Sequence, residues 1–541
     1  MFDQVSKIAK RAAVESHALA TVARAGMLGV APPGKMAGML HGLTAFGPVG
    51  GAITLAAIKH PDRPGLVDEL GTLTFRELDQ RSNALANVWR DRGIAEGAGV
   101  GILCRNHRGM LDATFASAKV GARALYLNTD FARPQATDVC AREGVDVLVY
   151  DEEFTEVLAD VAAPKGRFLA WTDNRPAVET LDDLIAKGAP ELSRDPGRPG
   201  GLVLLTSGTT GTPKGAPRPQ PKSLAIPGAI LSKIPFRGGE TMYVAPPIFH
   251  TWGLTTSILA LGVGATLVTR RRFRPEEILG DLARHKVASF VVVPVMLKRI
   301  LALGEPEIAK HDLSSVRVIA AAGSQLEGAL AVKTMDIFGD VLYNLYGSTE
   351  AAYASIADPA DLRAAPGCAG RPPFGSTVKI LGDDGGELPQ GQTGRIFVGN
   401  TSQFDGYTGG GHKEVIRGLM STGDVGHFDA GGRLFVDGRD DDMIVSGGEN
   451  VFPQEVEELL AGHDSVNDAA VVGVDDEEFG KALRAFVVRR AGSELDEDAV
   501  REFVKQNLAR YKVPRKVVFL DELPRNPSGK VLKRLLATWD S

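Results

Sequence analysis

The sequence predicts an α/β chain with a large N-terminal domain of two βα subdomains plus a small β-rich subdomain, followed by a small α+β C-terminal domain. Three observations carry this reading. Helical and strand-like segments alternate from about Pro61, the pattern of a largely parallel sheet. From Gly367 to Gly438 short strands alternate with Gly and Asp turns, which reads as a β-rich unit. After Asp440 one compact helix-and-strand unit remains. At 541 residues the chain is too long for a single core. The expected division is an N-terminal arm over 1–58, a large domain over 59–439 and a small domain over 440–541.

In chain order, Met1 to Leu28 reads as a helix carrying Lys7, Lys10, Arg11 and Arg24. Met36 to Ile58 has no Asp, Glu, Lys or Arg and approaches the length of a membrane span, but Gly47, Pro48, Gly50 and Gly51 interrupt it. Three readings fit the segment, in this order: an arm packed on the large domain, an interfacial contact with a bilayer, and a true span. Gly65–Asp68 and Gly71–Thr74 read as a hairpin, and Phe75–Arg92 as a helix with apolar residues at helical spacing. Val100–Cys104 and Val147–Tyr150 read as buried strands separated by helical stretches such as Met110–Val120. Gly188–Gly200 is a Pro/Gly-rich linker. Strands are expected at Thr241–Ala245, Ala265–Thr269, Ser289–Val293 and Val316–Ala320, then at Val378–Leu381, Gly394–Val398 and Leu434–Val436. The last unit reads as helix Gln454–Ala461, strands Ala469–Val474 and Ala482–Arg489, helix Glu497–Leu508 and strand Lys516–Phe519.

A net charge of −6 supplies no basic surplus, so no nucleic-acid partner is expected. Cys104, Cys140 and Cys368 lie far apart with no C-x-x-C pair. That argues against a disulfide framework or a zinc site and fits a reducing cytoplasm, with membrane association through the arm as the variant.

The most informative stretch is Thr206-Ser207-Gly208-Thr209-Thr210-Gly211-Thr212-Pro213-Lys214-Gly215, which follows the apolar run Gly201–Leu205. Glycines let backbone approach an oxyanion. Successive N–H groups and hydroxyls can wrap phosphate oxygens, and a lysine adds a point charge. A nucleoside triphosphate is the expected ligand. The P-loop of kinases and ATPases does not fit: Pro213 removes a donor from the cradle, and Gly215 stands where that motif needs a Ser or Thr for magnesium.

Further motifs follow in order: Pro247-Ile248-Phe249-His250-Thr251-Trp252-Gly253, Tyr346-Gly347-Ser348-Thr349-Glu350, Ser421-Thr422-Gly423-Asp424, Gly438-Arg439-Asp440 and Pro524-Arg525-Asn526-Pro527-Ser528-Gly529-Lys530. Together with the first loop they resemble the adenylate-forming superfamily of acyl-CoA synthetases, luciferases and peptide-synthetase adenylation domains. The resemblance runs from about His60 to the C-terminus and is nearest to fatty-acyl-CoA synthetases.

That resemblance implies ATP, Mg2+ and CoA as cofactors and cosubstrates, and a fatty acid or other carboxylic acid as substrate. It implies that Thr206, Ser207, Gly208, Thr209, Thr210, Gly211 and Lys214 hold the β- and γ-phosphates. Glu350 would be the magnesium-linked carboxylate, Thr349 a donor to the α-phosphate, Tyr346 and Gly347 a seat for adenine, Asp424 the acceptor of the ribose hydroxyls and Arg439 a partner of the ribose or a phosphate. His250 would lie at the mouth of the acyl site, beside Ala322 and Gly323, whose small side chains leave room for a chain. Lys530 would reach the carboxylate and the α-phosphate during adenylation. Asp440 would be the hinge, and Gly447 and Gly448 of Ser446–Pro453 would close over the pantetheine arm of CoA. Two departures stand out: Gln325 where the family often has proline, and Arg395 where relatives commonly have glutamate, the latter expected to alter packing alone. The alternatives are an acyl-AMP ligase serving a separate acyl-carrier protein, and a catalytically silent lipid-binding relative.

Overall fold

The computed structural model describes the chain apart from residues 1, 30–31, 175–176, 207–213, 219–222, 349, 401–402, 404–405, 409–411, 441–443, 447–448, 477–479, 528 and 540–541. Of 2–10, 206, 214, 217–218, 445–446, 449–450 and 480 it describes the backbone.

Two sheets make the large α/β body. One has six strands, in the order Gly166–Trp171, Val147–Asp151, Gly99–Leu103, Arg123–Tyr126, Leu202–Thr206 and Lys214–Arg218. The other has eight: Ser355–Ala357, Leu342–Tyr346, Val318–Ala322, Ser289–Val292, Thr241–Val244, Thr266–Val268, Pro64–Asp68 and Gly71–Thr74. Both are parallel except for antiparallel strands at their edges. Helices cover them, and their entry points are set locally. Phe75–Asp91, for example, begins at Thr74, whose hydroxyl accepts from the Glu77 amide while the Glu77 carboxylate accepts from the Thr74 amide at 2.7 Å, a reciprocal cap.

A five-stranded antiparallel unit built on Thr377–Leu381, Gly394–Gly399 and Leu419–Phe428 follows, with Val415–Ile416 and Leu434–Arg439 completing it. The last unit is a sheet of Val466–Asp476, Gly480–Arg489 and Lys516–Leu520 with helices Pro453–Ala461 and Glu497–Asn507. The expected elements are present. The strand expected at Val316–Ala320 runs Val318–Ala322, and several strands lie outside the sequence reading, among them Arg123–Tyr126, Lys214–Arg218, Leu342–Tyr346 and Leu419–Phe428.

The N-terminal arm is helical, and its apolar segment is bent double. Helix Phe2–Arg24 lies on helix Ala225–Lys233, where a Cβ on Gly228 would meet Ala18 Cβ at 2.5 Å. Pro33–Lys59 has the length and apolarity of a membrane span, with a mean hydropathy of 1.3. It breaks at Gly47, at φ 68° and ψ −176°, a conformation essentially restricted to glycine. Beyond the break it folds back: a Cβ on Gly51 would lie 2.8 Å from Leu43 Cα, one on Gly42 3.0 Å from Thr54 Cγ2 and one on Gly38 3.2 Å from Ile58 Cδ1. Each arm of this hairpin is about 20 Å long at ~1.5 Å per residue, short of the ~30 Å hydrocarbon core. The returning arm packs on helix Arg108–Val120, with Ala118 Cβ 2.9 Å from where a Gly50 Cβ would stand. The reading as a straight span is therefore replaced by a helical hairpin, because glycine at 47 permits the reversal.

All three cysteines are buried and unpaired in disulfides. Burial pushes the Cys104 and Cys368 thiols up, and the Cys140 thiol up to about 12. Cys104 adjoins a buried pair, His107 Nε2 and Asp151 Oδ1 at 2.7 Å. His107 Nδ1 accepts from the Gly109 amide at 3.1 Å and so caps helix Arg108–Val120. The cluster ties that helix to two strand ends.

Candidate active site

Four neighbouring strands of the eight-stranded sheet run parallel and end side by side: Thr241–Val244, Ser289–Val292, Val318–Ala322 and Leu342–Tyr346. Ligands of open α/β sheets bind at such carboxyl ends. His250, Val293, Gly323 and the Tyr346–Gly347 pair follow these ends in turn. Gly323 has φ +96°, and a Cβ there would stand 3.3 Å from Val293 Cγ1. A Cβ on Gly347 would collide with the Ala352 carbonyl at 2.4 Å, so glycine is required for the chain to turn back there.

The loop 207–213 joins two antiparallel strands in which Thr206 is paired with Lys214 and Leu205 with Gly215. The backbone of Thr206 and Lys214 is fixed by that pairing. Ser207, Gly208, Thr209, Thr210, Gly211, Thr349, Gly447 and Gly448, and the side chains of Thr206 and Lys214, lie outside the described residues.

A second wall comes from the β-rich unit. Asp424 and Arg439 are register partners on adjacent strands, and Arg439 Nη1 donates to Asp424 Oδ1 at 3.2 Å. The Tyr346 hydroxyl donates to Asp424 Oδ2, which draws this ring, expected to stack on a purine, into the same corner. Burial first and the Asp424 charge second hold the Tyr346 phenol above its ordinary pKa. Asp440 follows directly, its amide donating to the Gly423 carbonyl at 3.0 Å. Arg395 Nε donates to Asp440 Oδ2 at 3.2 Å, and the same side chain pairs with Glu414. Arg395, expected to alter local packing and not chemistry, thus makes ion pairs to Glu414 and Asp440.

Glu350 is 9 % exposed, and its Oε1 accepts from the Tyr407 hydroxyl at 2.7 Å. A buried, oriented carboxylate is a hard oxygen donor of the kind Mg2+ takes alongside substrate phosphates. Sequence reasoning missed Tyr407. It packs with Ala216 and Met420, and its neighbour Thr408 donates its amide to the Gly215 carbonyl at 2.8 Å and its hydroxyl to Glu143 at 2.6 Å. These contacts tie the strand Lys214–Arg218 to Glu350, across distances no local motif reveals.

The small domain supplies the last group. Lys530 enters the cleft within electrostatic reach of Asp424, Arg439, Glu350 and His250. Desolvation between the domains is the main cause lowering its ammonium pKa; Arg439 adds to this, while Asp424 and Glu350 oppose it. The side chain keeps contact with solvent, which limits the shift. Burial, and then Lys530, bring the His250 imidazole down to about 4, so it is neutral near pH 7. His250 Nε2 is buried with no hydrogen-bond partner among the described residues. The structure thus brings together His250, Gly323, Tyr346, Glu350, Asp424, Arg439 and Lys530. Gln325 donates instead to Glu458 of the small domain, so it belongs to the domain interface.

Residues 54–408 match the AMP-binding enzyme family, and residues 455–530 match the AMP-binding enzyme C-terminal domain. The chain belongs to the AMP-binding enzymes. Among relatives of this AMP-binding enzyme, feruloyl-CoA synthase of Amycolatopsis sp is 34 % identical, over 85 % of this chain and 92 % of that protein. Fatty acid–[acyl-carrier-protein] ligase ScoC of Streptomyces coeruleorubidus is 30 % identical, over 89 % and 94 %. The structure of o-succinylbenzoate CoA synthetase (MenE) from Bacillus subtilis, solved with its acyl-adenylate intermediate, superposes with a TM-score of 0.78 at 26 % identity, covering 91 % of this chain and 98 % of that one. The AMP-binding enzyme described here is accordingly an acid-activating, AMP-forming ligase, and its family's cosubstrates and metal are ATP, CoA and Mg2+.

Proposed function

We propose that this ligase converts an apolar carboxylic acid into its CoA thioester. One observation carries the reading: Lys530 of the small domain lies within electrostatic reach of His250, Glu350, Asp424 and Arg439 of the large domain. In the first half-reaction an oxygen of the carboxylate attacks the α-phosphorus of ATP, and pyrophosphate leaves. Lys530 would offset charge gathering on the carboxylate and the α-phosphate, the contribution of a preorganised cation. Asp424 would accept from the ribose hydroxyls with Arg439 beside it, and Lys214 and the loop before it would take the outer phosphates. Glu350 would hold Mg2+, whose contribution when bound is to neutralise phosphate charge. In the second half-reaction the thiol attacks the acyl carbonyl and AMP leaves with its electron pair. Asp440 would be the hinge that withdraws Lys530 and presents Gly447 and Gly448 to the thiol substrate.

For the acid, we place fatty acids first. The support is the resemblance across the motifs and a fatty-acid ligase among the relatives. A feruloyl-CoA synthase at higher identity favours a second reading, an aromatic acid. Phe249 and Trp252, both buried around His250, suit either. The outer face of the hairpin's first arm, with Met36 45 % and Leu40 64 % exposed, supports peripheral contact of this cytoplasmic enzyme with a bilayer.

The test is incubation of the purified protein with ATP, Mg2+ and a panel of fatty and aromatic acids, with and without CoA. Pyrophosphate, acyl-AMP and acyl-CoA are measured separately. Acyl-CoA from one class of acid is the expected result. Acyl-AMP that accumulates despite CoA would replace CoA by a carrier protein, and absence of pyrophosphate with every acid would end the reading.

A further inference from the structure

The loop that carries Lys530 is held to the large domain at two points by one helix, Pro294–Leu301. At the first point, a Cβ on Gly529 would lie 2.6 Å from Val295 Cγ1 and 3.5 Å from Val293 Cγ2. Gly529 has φ +83°, so a bare, left-handed residue is what lets the backbone before Lys530 sit on the helix. Val293 is also the side chain facing Gly323 at the strand end expected to line the acyl site.

At the second point, three residues further along the helix, Lys298 Nζ donates to Asp468 Oδ1 at 3.0 Å. Asp468 is on the small domain's first sheet strand and is 9 % exposed. Its other oxygen, Oδ2, accepts from Arg525 Nη2 at 2.6 Å, and Arg525 Nη1 donates to the Gly529 carbonyl at 2.6 Å. The contacts close a ring: Val295, Gly529, Arg525, Asp468 and Lys298. Within the loop, Asn526 Oδ1 accepts from the Lys530 amide at 2.9 Å, a brace of the loop's own, while its contacts with the large domain run through the ring.

We propose that Asp468, held between Lys298 and Arg525, is a positioning residue for Lys530, and that this ring sets the lysine against the cleft for adenylation alone. A charged pair that bridges two domains exists only in the orientation where both partners meet. Lys298 has a second acid in reach, Glu327 Oε1 of the large domain at 3.5 Å. When the small domain swings away, Lys298 keeps a partner, which lowers the barrier to release compared with leaving a lone charge behind. The ring therefore fixes the geometry without locking the domains together.

This inference rests on the assignment of Lys530 to adenylation. The experiment compares wild type, Lys298→Ala, Lys530→Ala and the double variant in two separated half-reactions: pyrophosphate release from ATP and acid, and acyl-CoA formation from supplied acyl-adenylate. Lys298 lies on the large domain's surface, so its loss leaves the small domain's own packing intact; Asp468→Asn is the second variant, with its melting temperature recorded. Lys298→Ala and Asp468→Asn should each slow adenylation about ten- to a hundredfold, the cost of misplacing a reacting group by roughly 1 Å, and leave thioester formation unchanged. Lys298→Ala should add nothing once Lys530 is alanine. Equal losses in both half-reactions, no loss in either, or full additivity with Lys530→Ala would overturn the inference. If wild type releases no pyrophosphate with any acid, the proposed function fails instead.

Discussion

The two walls of the cleft are held by different kinds of force. On the large-domain side, Tyr346 and Gly323 end parallel strands with backbone pairing on both sides, and Asp424 and Arg439 are adjacent rungs of one antiparallel ladder. On the small-domain side, Lys530 is placed by side chains reaching across a boundary: Lys298 to Asp468, Gln325 to Glu458, and Gln454 to the Val436 carbonyl. A wall made of sheet costs many backbone hydrogen bonds to move, whereas a wall docked by a few side-chain contacts breaks only those when it separates. This suits a reaction in which the adenylate must stay put while the group that helped form it leaves.

Substitutions on the two sides should separate accordingly. The largest effect is expected for Lys530→Ala: adenylation should fall by about two to three orders of magnitude, the loss of one charge-stabilising donor. Thioester formation from supplied acyl-adenylate should be spared, and equal loss in both halves would erase the distinction. Asp424→Asn is next. Asp424 belongs to the fixed wall and would hold the ribose in both steps, so both half-reactions should fall roughly ten- to a hundredfold, equivalent to about 1.5–3 kcal/mol for hydrogen bonds to a charged group. A loss confined to one half would place Asp424 with the mobile group.

Gly47→Ala probes the fixed side away from the cleft. Its backbone conformation should cost a side chain about 1–3 kcal/mol, read as a lower midpoint of denaturant unfolding with half-reaction rates unchanged in the folded fraction. The smallest effect concerns His250. Its folded pKa of about 4 lies below the ordinary histidine value of 6.5, so the unfolded chain takes up the proton first and stability falls as pH drops from about 6.5 towards 4. Between pH 7 and 5 this amounts to roughly 1–2 kcal/mol, at about 1.36 kcal/mol per unit. His250→Asn should remove that part of the slope; an unchanged slope would show that His250 is not held neutral by burial.

What the sequence disclosed follows from how local each feature is. The α/β layout was legible because apolar periodicity and Gly/Asp turns are local signals, and Phe75–Asp91 carries its own cap. The strand at Val318–Ala322 was placed two residues early because the apolar residues from Val316 onward give no period to mark its start. The return strand Lys214–Arg218 was missed because Pro217 reads as a breaker, yet it is an edge strand, where proline is tolerated. Of the site, His250, Glu350, Asp424, Arg439 and Lys530 were found through ordered motifs, and the structure gathers them. Tyr407, Lys298 and Asp468 stand in no motif. Lys298 meets Asp468 across 170 residues of chain, a pairing only the fold creates.

The three buried cysteines have a further consequence, in redox terms. A thiol reacts with disulfides as its thiolate, and burial keeps Cys104, Cys140 and Cys368 from that form. The proposed acceptor is itself a free thiol that oxidises to a disulfide during handling. An enzyme with no accessible thiolate among its described residues would form no mixed disulfide with that oxidised substrate. Consumption of the acceptor could then be followed with a colorimetric disulfide reagent, in the absence of added reductant, with no background from the folded protein.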